Sequence, residues 1–274
     1  MKKQTFLNRI FSTIESRIWP FRVSWLKTIY FNFRSMPFKM AVTLPVYIYS
    51  RTQFQTLSGS VEIDGNLCPG MVRIGKREDR GMGVTTIRNH GVIRFRDGGT
   101  IMQGCDIYVG KKGLLEIGAR ARVRENVFIY VSSYVKIGDF TGIAYQTTIS
   151  DDDFHFVIDS SSGKISDTKS SIIIGNRNWI GSRTAIKKGT ITPDNIIVAS
   201  SYSLLDRDYR DSVPEYSAIG GVPARLLRKN LRRVFDIGSE RLLQKYFEDH
   251  DESFMLDLQE NDVDDFCLGP SSKV

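Results

Sequence analysis

The feature that most constrains the fold of this chain is an apolar residue that recurs every six positions. The clearest run begins with Ile137, Ile143 and Ile149. After an interruption the same period returns, with a threonine in one apolar slot, at Ile174, Ile180, Ile186, Thr192, Val198 and Leu204. A helix places its apolar residues every three to four positions and a half-buried strand every two, so neither element explains this spacing.

A longer repeat accompanies the six-residue period. It is a short apolar-x-apolar strand, usually followed by glycine, and its second apolar residues are Ile74, Phe95, Ile117, Ile137 and Ile174, at spacings of 21, 22, 20 and 37. Such a repeat predicts a coil with three flat faces, in which each face contributes one strand and one inward aliphatic side chain. We expect the glycines at tight corners that need a positive φ. The sequence therefore predicts a mainly β fold, a parallel β-solenoid.

One interval of this repeat is too long for a regular coil, and the surplus is the segment 150–171. It begins SDDDFHFVID, which places four acids around His155, one of three histidines in the chain. We expect a loop outside the solenoid, with Phe154 and Phe156 anchoring an otherwise polar segment to the coils.

The rest of the chain flanks the solenoid, which we place at residues 59–206. Residues 1–58 are a basic, aromatic-rich leader that is helical in parts and is broken by prolines. Residues 207–236 are a closing segment that contains the GVPAR motif. Residues 237–274 are a C-terminal helix, predicted over 237–250, and an acidic tail in which we expect disorder.

Charge is distributed unevenly along the chain. Residues 1–60 hold nine bases and one acid (9 − 1 = +8), whereas residues 245–274 hold two bases and nine acids (2 − 9 = −7). The leader's positive charge and twelve aromatic residues suit a helix lying on an anionic membrane surface. The alternative is that these aromatic residues pack on the first coils. No recognition motif accompanies the basic charge, so we expect no nucleic-acid partner.

The location is predicted from what the sequence lacks. It shows no secretory signal and no uninterrupted apolar segment long enough to span a bilayer. Its three cysteines, Cys68, Cys105 and Cys267, are widely separated and odd in number, which is typical of a reducing compartment. We therefore expect a cytoplasmic protein, either free or peripheral on the inner face of the membrane.

Several segments together resemble a known family. They are the His155 loop and the stretches TIYFNFRSMP (28–37), IGNRNWIGSRTAIKKGTI (174–191), IIVASSYSLL (196–205) and AIGGVPARLLRK (218–229). The chain resembles the hexapeptide-repeat acyltransferases with a left-handed parallel β-helix, in particular the group that O-acetylates bacterial surface polysaccharides and sugars. The resemblance covers most of residues 28–236. It implies a homotrimer, an active site between neighbouring subunits, and an acyl-CoA, expected to be acetyl-CoA, along the groove.

The reaction that the resemblance implies needs a base. A sugar hydroxyl attacks a thioester poorly unless a nearby group takes its proton in the transition state. His155 suits that role, because an imidazole accepts protons near neutral pH. Asp153 or Asp159 would hold the other ring nitrogen and stabilise the imidazolium as it forms. Asp151 and Asp152 would bind hydroxyl groups of the sugar.

The resemblance also assigns residues that contact the donor. Ser182 and Ser200 would lie near the pantetheine arm, and Arg225 and Arg228 would face the phosphates of CoA, since guanidinium groups match phosphate oxygens. Trp179 would form a wall of the acceptor or acyl pocket, or else pack as a corner aromatic. The chain departs from the family at YSLLDRD (202–208), where a Thr-Lys pair is missing and Arg207 is the candidate replacement.

Other functions stay open. An N-acetyltransferase acting on an amino sugar or nucleotide sugar would share the fold and the base. A zinc hydratase needs three histidine ligands, whereas His90, His155 and His250 are scattered. The acidic loop lacks the spacing of a calcium-binding loop, so we expect no metal. A non-catalytic scaffold would not need His155.

Overall fold

Short parallel strands, stacked coil upon coil, make up most of the chain in a computed structural model that describes residues 22–78, 82–258 and 262–269. The strands fall into three sheets. As far as Ile172–Ile174, each coil contributes one strand to each sheet, and the later strands belong to two of the sheets only. The predicted parallel β-solenoid is confirmed. The first 21 residues of the leader lie outside the described residues.

We call the three sheets the first, second and third faces. Among the described residues, the first face has nine strands: Val46–Ile48, Val72–Lys76, Gly99–Met102, Ala121–Val123, Gly142–Ile143, Trp179–Ile180, Ile197–Val198, Ala218–Gly220 and Arg225–Arg228. The second face has seven: Thr52–Leu57, Thr85–Asn89, Asp106–Val109, Phe128–Val131, Thr148–Ser150, Ala185–Lys187 and Leu204–Leu205. The third face has five: Ser60–Ile63, Val92–Phe95, Leu114–Ile117, Tyr134–Ile137 and Ile172–Ile174.

Columns of buried aliphatic side chains run through the solenoid. The six-residue period places Ile137 on the third face, Ile143 on the first and Ile149 on the second, and all three are fully buried. Ile149 lies in register with Ile129 on one side and with Ile186 on the other. Each such side chain stabilises the fold by roughly 1.5–3 kcal/mol through removal of apolar surface from water. The repeat in the sequence is therefore a stack of core residues.

Two residues do not lie where the sequence pattern predicts them: Ile74, from the longer repeat, and Leu204, from the six-residue period. Ile74 lies on the first face, whereas the four later members lie on the third, whose first strand ends at Ile63. Leu205, and not Leu204, is fully buried in register with Ile186. The turn before that strand holds one residue more than the six-residue period allows, and Ser201 and Tyr202 in it both have a positive φ.

The glycines that follow the third-face strands serve close packing of the coils. A Cβ atom on Gly138 would lie 2.4 Å from the carbonyl oxygen of Gly175 in the next coil. Neither glycine has a positive φ, so that expectation was wrong for these positions. The left-handed conformation is taken further along each turn, by Arg120 (φ 54°), Phe140 (φ 56°) and Arg177 (φ 52°).

Two helices precede the first coil. Helix α1 (Trp25–Ser35) starts at Ser24, whose hydroxyl accepts a hydrogen bond from the Lys27 N–H, and ends before Pro37. Helix α2 (Phe38–Ala41) is a single turn. The strands of the solenoid then begin at Val46, inside the segment predicted as leader. In the part of the chain that the structure describes, no helix is long and apolar enough to cross a membrane.

Residues 230–274 form a separate unit. It contains helix α3 (Ile237–Asp249), where the sequence predicts a helix, and the carboxylate of Asp236 caps that helix by accepting the Ser239 N–H. A short helix α4 (Val263–Leu268) lies in the segment for which disorder was expected. The Phe235 N–H donates to the carbonyl oxygen of Cys267 at 2.7 Å, which joins α4 to the residues before α3.

The stacked columns generate a prediction about stability. Replacing Ile149 with alanine removes a fully buried side chain from the middle of the second face, so the free energy of unfolding should fall by about 2–5 kcal/mol. The neighbouring Thr148 is exposed on the same strand, and Thr148→Ala should change that free energy by less than about 0.5 kcal/mol. Urea denaturation followed by circular dichroism measures both variants. Equal effects would contradict the assignment of inward and outward positions.

Candidate active site

The insertion in the repeat forms an arm that leaves the solenoid between the second and third faces. It follows strand Thr148–Ser150 and precedes strand Ile172–Ile174. Antiparallel bridges join Asp152 to Lys169 and Ile158 to Ile165, so its two halves run side by side. We call residues 151–171 the His arm. Its two halves are therefore paired near the root and again near the tip.

Asp151 fixes the root of the His arm. Its side chain is fully buried, and its two carboxylate oxygens accept the backbone N–H groups of Ser132 (2.7 Å), Ser133 (2.7 Å) and Tyr134 (2.9 Å). Burial raises the pKa of this carboxyl, against the opposing effect of the three donors. Asp151 thus ties the arm to the corner that leads into the third face. Its role in acceptor binding stays a prediction, and the buried carboxylate already has three donors.

Asp152 lies beside it and is also nearly buried. It accepts the Ser132 hydroxyl at 2.9 Å and the Phe154 N–H at 2.8 Å. Burial opposes the ionisation of Asp152, but these donors, together with Thr168, outweigh burial and lower its pKa. Two of the four acids therefore lie in hydrogen-bonded positions at the root of the arm.

Asp153 forms ion pairs with two lysines of the next coil. The Nζ atoms of Lys187 and Lys188 each lie 3.2 Å from one of its carboxylate oxygens. Burial opposes ionisation here too, but the two lysines outweigh it and lower the pKa of Asp153. Sequence reasoning missed both lysines, although the six-residue period contained the signal: with Ile186 inward, Lys187 faces outward directly beside Ser150.

His155 is exposed on the arm. Its backbone N–H donates to the carbonyl oxygen of Asp153 at 2.8 Å, while its imidazole has no hydrogen-bond partner among the described residues. Asp159 caps the turn at the tip, where it accepts the hydroxyls of Ser161 (2.5 Å) and Ser162 (2.8 Å). These hydroxyls, that of Ser161 foremost, lower the pKa of Asp159 to about 2. That Asp153 or Asp159 orients His155 stays a prediction.

The two phenylalanines of the arm behave differently. Phe154, with a φ of 65°, packs edge-on against Tyr130 at a centroid distance of 4.6 Å. Tyr130 in turn stacks on Tyr108 at 4.5 Å, so Phe154 does anchor the arm to the second face. Phe156 is 72% exposed, and the expectation that it anchors the arm to the solenoid was wrong. It belongs to an uncovered apolar group with Val157, Ile158 and Ile165.

The residues assigned to the donor lie together at the C-terminal end of the solenoid. Ser182 and Ser200 occupy turns of neighbouring coils between the first and second faces, and the Ser201 N–H donates to the Ser182 carbonyl at 2.9 Å. Arg225 and Arg228 are exposed on a strand that pairs antiparallel with Ala218–Gly220. Their side chains make no hydrogen bond or ion pair with any other described residue, so they are open to phosphate groups.

Trp179 lies on the first face, between Gly142 and Ile197 of the adjoining strands, and is 40% exposed.

The His arm leaves from the corner between the second and third faces, whereas Ser182 and Ser200 lie at the corner between the first and second. In one chain, Ser182 and Ser200 are therefore neighbours, whereas the arm that carries His155 leaves the solenoid at the other edge of the second face.

In the described part of the chain, no three histidine, cysteine or acidic side chains are placed so that they could hold a metal ion together. His90 instead lies 3.0 Å from the hydroxyl of Ser58, measured from its Nδ1 atom.

Comparisons with known proteins bear on the whole solenoid. No protein-family model matches the chain. Over 151 residues it is 29% identical to the Escherichia coli K12 protein named "Putative lipopolysaccharide biosynthesis O-acetyl transferase WbbJ", an alignment that covers 52% of this chain and 74% of that protein. The crystal structure of the polySia-specific acetyltransferase NeuO superposes with a TM-score of 0.50 at 18% identity, covering 75% of this chain and 84% of NeuO.

A third comparison is with AntD, an N-acyltransferase from Bacillus cereus solved in complex with dTDP and 3-hydroxybutyryl-CoA. It gives a TM-score of 0.40 at 17% identity and covers 74% of this chain and 88% of AntD.

The likeness to NeuO shows the fold, a hexapeptide-repeat β-helix. Together with the identity to WbbJ, it confirms the resemblance to the O-acetyltransferases of this fold that the sequence motifs indicated.

The root of the His arm generates a prediction. In Asp151→Asn one acceptor oxygen becomes an NH₂ group that faces backbone N–H donors. Leaving a buried donor without a partner costs roughly 1–3 kcal/mol, so the free energy of unfolding should fall by about that amount. Asp167→Asn, at an exposed position of the same arm, is the matched control and should be nearly neutral. Urea denaturation measures both, and an Asp151→Asn chain as stable as wild type would rule out this role.

Proposed function

We propose that this chain is an acyl-CoA-dependent O-acetyltransferase that modifies a sugar hydroxyl of a bacterial surface polysaccharide or of its precursor. The observation that carries the proposal is an exposed imidazole, held on a braced arm, on a β-helix similar to that of acetyltransferases. The acceptor class rests on the similarity to WbbJ, whose printed name places it in lipopolysaccharide biosynthesis.

His155 is the proposed general base. Its imidazole has no partner among the described residues, so it is open to accept the proton of an acceptor hydroxyl. The hydroxyl oxygen then bonds to the thioester carbonyl carbon, the carbon–sulfur bond breaks, and the imidazolium returns its proton to the departing CoA thiolate. The ester product and free CoA thiol balance the two substrates.

The contacts of Asp153 explain how the exposed His155 is held in place for proton transfer. The Asp153 carbonyl accepts the His155 N–H, and the Asp153 carboxylate is held by Lys187 and Lys188. For Asp153 or Asp159 to orient the imidazole, the ring must come within hydrogen-bonding distance of that carboxylate, which already accepts from lysines in one case and from serine hydroxyls in the other.

Acetyl-CoA is the proposed donor, as a co-substrate. Arg225 and Arg228 are exposed on a strand that pairs with Ala218–Gly220. That strand adjoins the coil of Ser200, since the Ala199 N–H donates to the carbonyl of Ile219. The two guanidinium groups suit the phosphates of CoA. Ser182 and Ser200 are small side chains on adjoining turns, which leaves room for a pantetheine arm along them.

A homotrimer is the proposed assembly. The base and the donor residues lie at different corners of one chain, so a neighbouring copy is needed to bring the arm of one chain to the donor residues of another. The uncovered apolar side chains of the arm supply a surface for that contact.

The proposed base is tested by turnover. With acetyl-CoA and a cell-envelope glycan extract, His155→Ala should lower kcat/KM by about 10²–10⁴-fold, the range typical of a lost general base. Release of free CoA thiol measures the rate, and mass spectrometry of the glycan shows whether a hydroxyl or an amine gained the acyl group. His250→Ala, an exposed histidine in the C-terminal unit, is the control. A folded His155→Ala protein with wild-type turnover would refute the role.

The proposed trimer is tested through the arm. Exchanging Phe156 and Val157 for glutamine removes two exposed apolar side chains, 72% and 76% exposed, without touching the core. We expect the mass measured by light scattering to fall from trimer to monomer and the acyl transfer rate to fall with it. Met82→Gln, at an equally exposed apolar position (76%), should change neither. A monomeric wild-type enzyme, or a variant that stays trimeric, would contradict the proposed interface.

A further inference from the structure

Helix α1 has the opposite orientation from an ordinary surface helix, because it buries its polar side and exposes its apolar side. Its buried side is mostly polar and consists of Lys27, Thr28, Phe31, Asn32 and Ser35. Its exposed side is apolar except for Arg34 in the last turn, and its apolar residues are Trp25, Leu26, Ile29, Tyr30 and Phe33. A surface helix normally buries its apolar stripe and leaves the polar one to water, so this arrangement needs a physical cause.

The polar side of the helix is satisfied by the edge of the solenoid. Thr28 accepts the backbone N–H of Ile48 at 3.0 Å, and the side-chain amide of Asn32 donates to the carbonyl of Val46 at 2.7 Å. The ammonium group of Lys27 donates to the carbonyl of Ser50. These bonds complete backbone groups of the first coil that have no preceding strand to pair with. The orientation of the helix is therefore fixed by polar contacts, and its apolar side is left outward.

The exposed apolar side continues onto helix α2. Phe38 is 72% exposed and meets Phe33 edge-on at a centroid distance of 5.7 Å. Val42, just beyond α2, is 52% exposed. We call this set the apolar patch: Trp25, Leu26, Ile29, Tyr30, Phe33, Phe38 and Val42. Uncovered apolar patches of this kind mark interaction surfaces.

The charges around the apolar patch are of one sign. Residues 22–61 contain Arg22, Lys27, Arg34, Lys39 and Arg51 and no acidic residue, and residues 1–21 add four bases against one acid. Arg34 and Lys39 are exposed beside patch residues. Aromatic and aliphatic side chains flanked by cations suit the interface of an anionic bilayer, where the rings enter the headgroup region and the cations meet phosphates. Because the first 21 residues are themselves basic, their charge does not complement the patch.

A cleft beside the end of helix α1 adds a second feature that suits phosphate. Its volume is about 480 Å³. The cationic side chains of Arg34 and Lys111 line it together with His90, and none of its lining residues is acidic. Ser35 also lines the cleft, and its buried hydroxyl has no hydrogen-bond partner. Cationic donors together with a free hydroxyl are the groups that bind phosphate oxygens.

We propose that the apolar patch and this cleft form a docking surface for an anionic lipid bilayer. The patch lies in the membrane interface, and the cleft takes the phosphate of a lipid headgroup. Docking would hold the acyltransferase beside a membrane-bound glycan precursor. That consequence rests on the proposed function, whereas the binding to lipid does not.

Vesicle flotation with the full chain tests the patch. Wild type should float with vesicles of phosphatidylcholine mixed with phosphatidylglycerol and remain unbound with phosphatidylcholine alone. Ile29→Gln combined with Phe33→Gln should weaken binding at least about tenfold, because two patch side chains no longer enter the interface. Leu242→Gln combined with Phe247→Gln, at exposed apolar positions of helix α3 (each 50% exposed), is the matched control and should bind as wild type does.

The cleft is tested with two neighbouring lysines. Lys111 lines the cleft and Lys112 does not, although both are exposed. Lys111→Gln should weaken binding to the phosphatidylglycerol vesicles about fivefold, the effect expected for one basic residue at an anionic surface, and more than Lys112→Gln does. Inorganic phosphate can enter the cleft but cannot displace the patch, so at equal ionic strength it should weaken vesicle binding by no more than Lys111→Gln does. Complete release by phosphate, but not by chloride, would assign the cleft to a soluble phosphate compound and overturn the lipid assignment.

Three further outcomes would overturn the docking surface. They are a wild-type chain that ignores anionic vesicles, a patch variant that binds them as wild type does, and a patch variant whose molecular mass falls while vesicle binding persists, which would make the patch a contact between copies. Turnover on a short soluble acceptor should be unchanged in the patch variant. Failure of that assay in wild type as well would count against the proposed acyl transfer and leave the vesicle result standing.

Discussion

The in-register stacking of inward aliphatic side chains is the constraint on which the rest of this structure depends. Each coil must return its core residues to the columns of the coil before it, as Ile149 does between Ile129 and Ile186. Residues beyond that requirement have no place inside the prism. The His arm therefore leaves the solenoid at one corner. After it, strand Ile172–Ile174 pairs in register with the strand that carries Val135 and Ile137.

The arm itself divides into a polar root and an apolar outer part. At the root, Asp151 and Asp152 accept donors from the preceding coil, and Lys187 and Lys188 hold Asp153 from the following one. The contacts of Asp151 and Asp152 involve buried groups whose loss would leave donors unpaired, so they fix the arm more firmly than the more exposed ion pairs of Asp153 do. Farther out, Phe156 and Val157 are uncovered. The proposed base lies where the two parts meet.

The sequence was sufficient for the architecture and for the location of the insertion, because a six-residue period has few physical explanations. It was insufficient wherever a residue's partner comes from another coil. A run of three aspartates has no periodicity that separates Asp151, which is buried against backbone N–H groups, from an exposed acid that is free to bind a sugar. The same holds for the extra residue in the turn before Leu204–Leu205. It brings Leu205 rather than Leu204 into register with Ile186, and the six-residue pattern does not show it.

Helix α1 shows a deeper limit of the same kind. An amphipathic pattern establishes that a helix has two unlike sides, but it does not establish which side faces the protein. Here the answer came from the first strand, whose backbone groups at Val46 and Ile48 are paired by the side chains of Asn32 and Thr28. Each of those backbone groups would cost about 1–3 kcal/mol if it were buried and unpaired, so their pairing favours the observed orientation of the helix.

The convex shape of a β-helix bears on how such a fold forms an active site. Ligand sites are concave and exclude water, whereas the faces of a prism are flat and its corners project. Two clefts on the described chain, of about 450 and 480 Å³, are lined without His155 or the donor residues. In the proposed trimer, a second chain brought against the arm would enclose the imidazole. The separation of His155 from Ser182 and Ser200 fits that proposal, because two prisms side by side would create between them a groove that neither has alone.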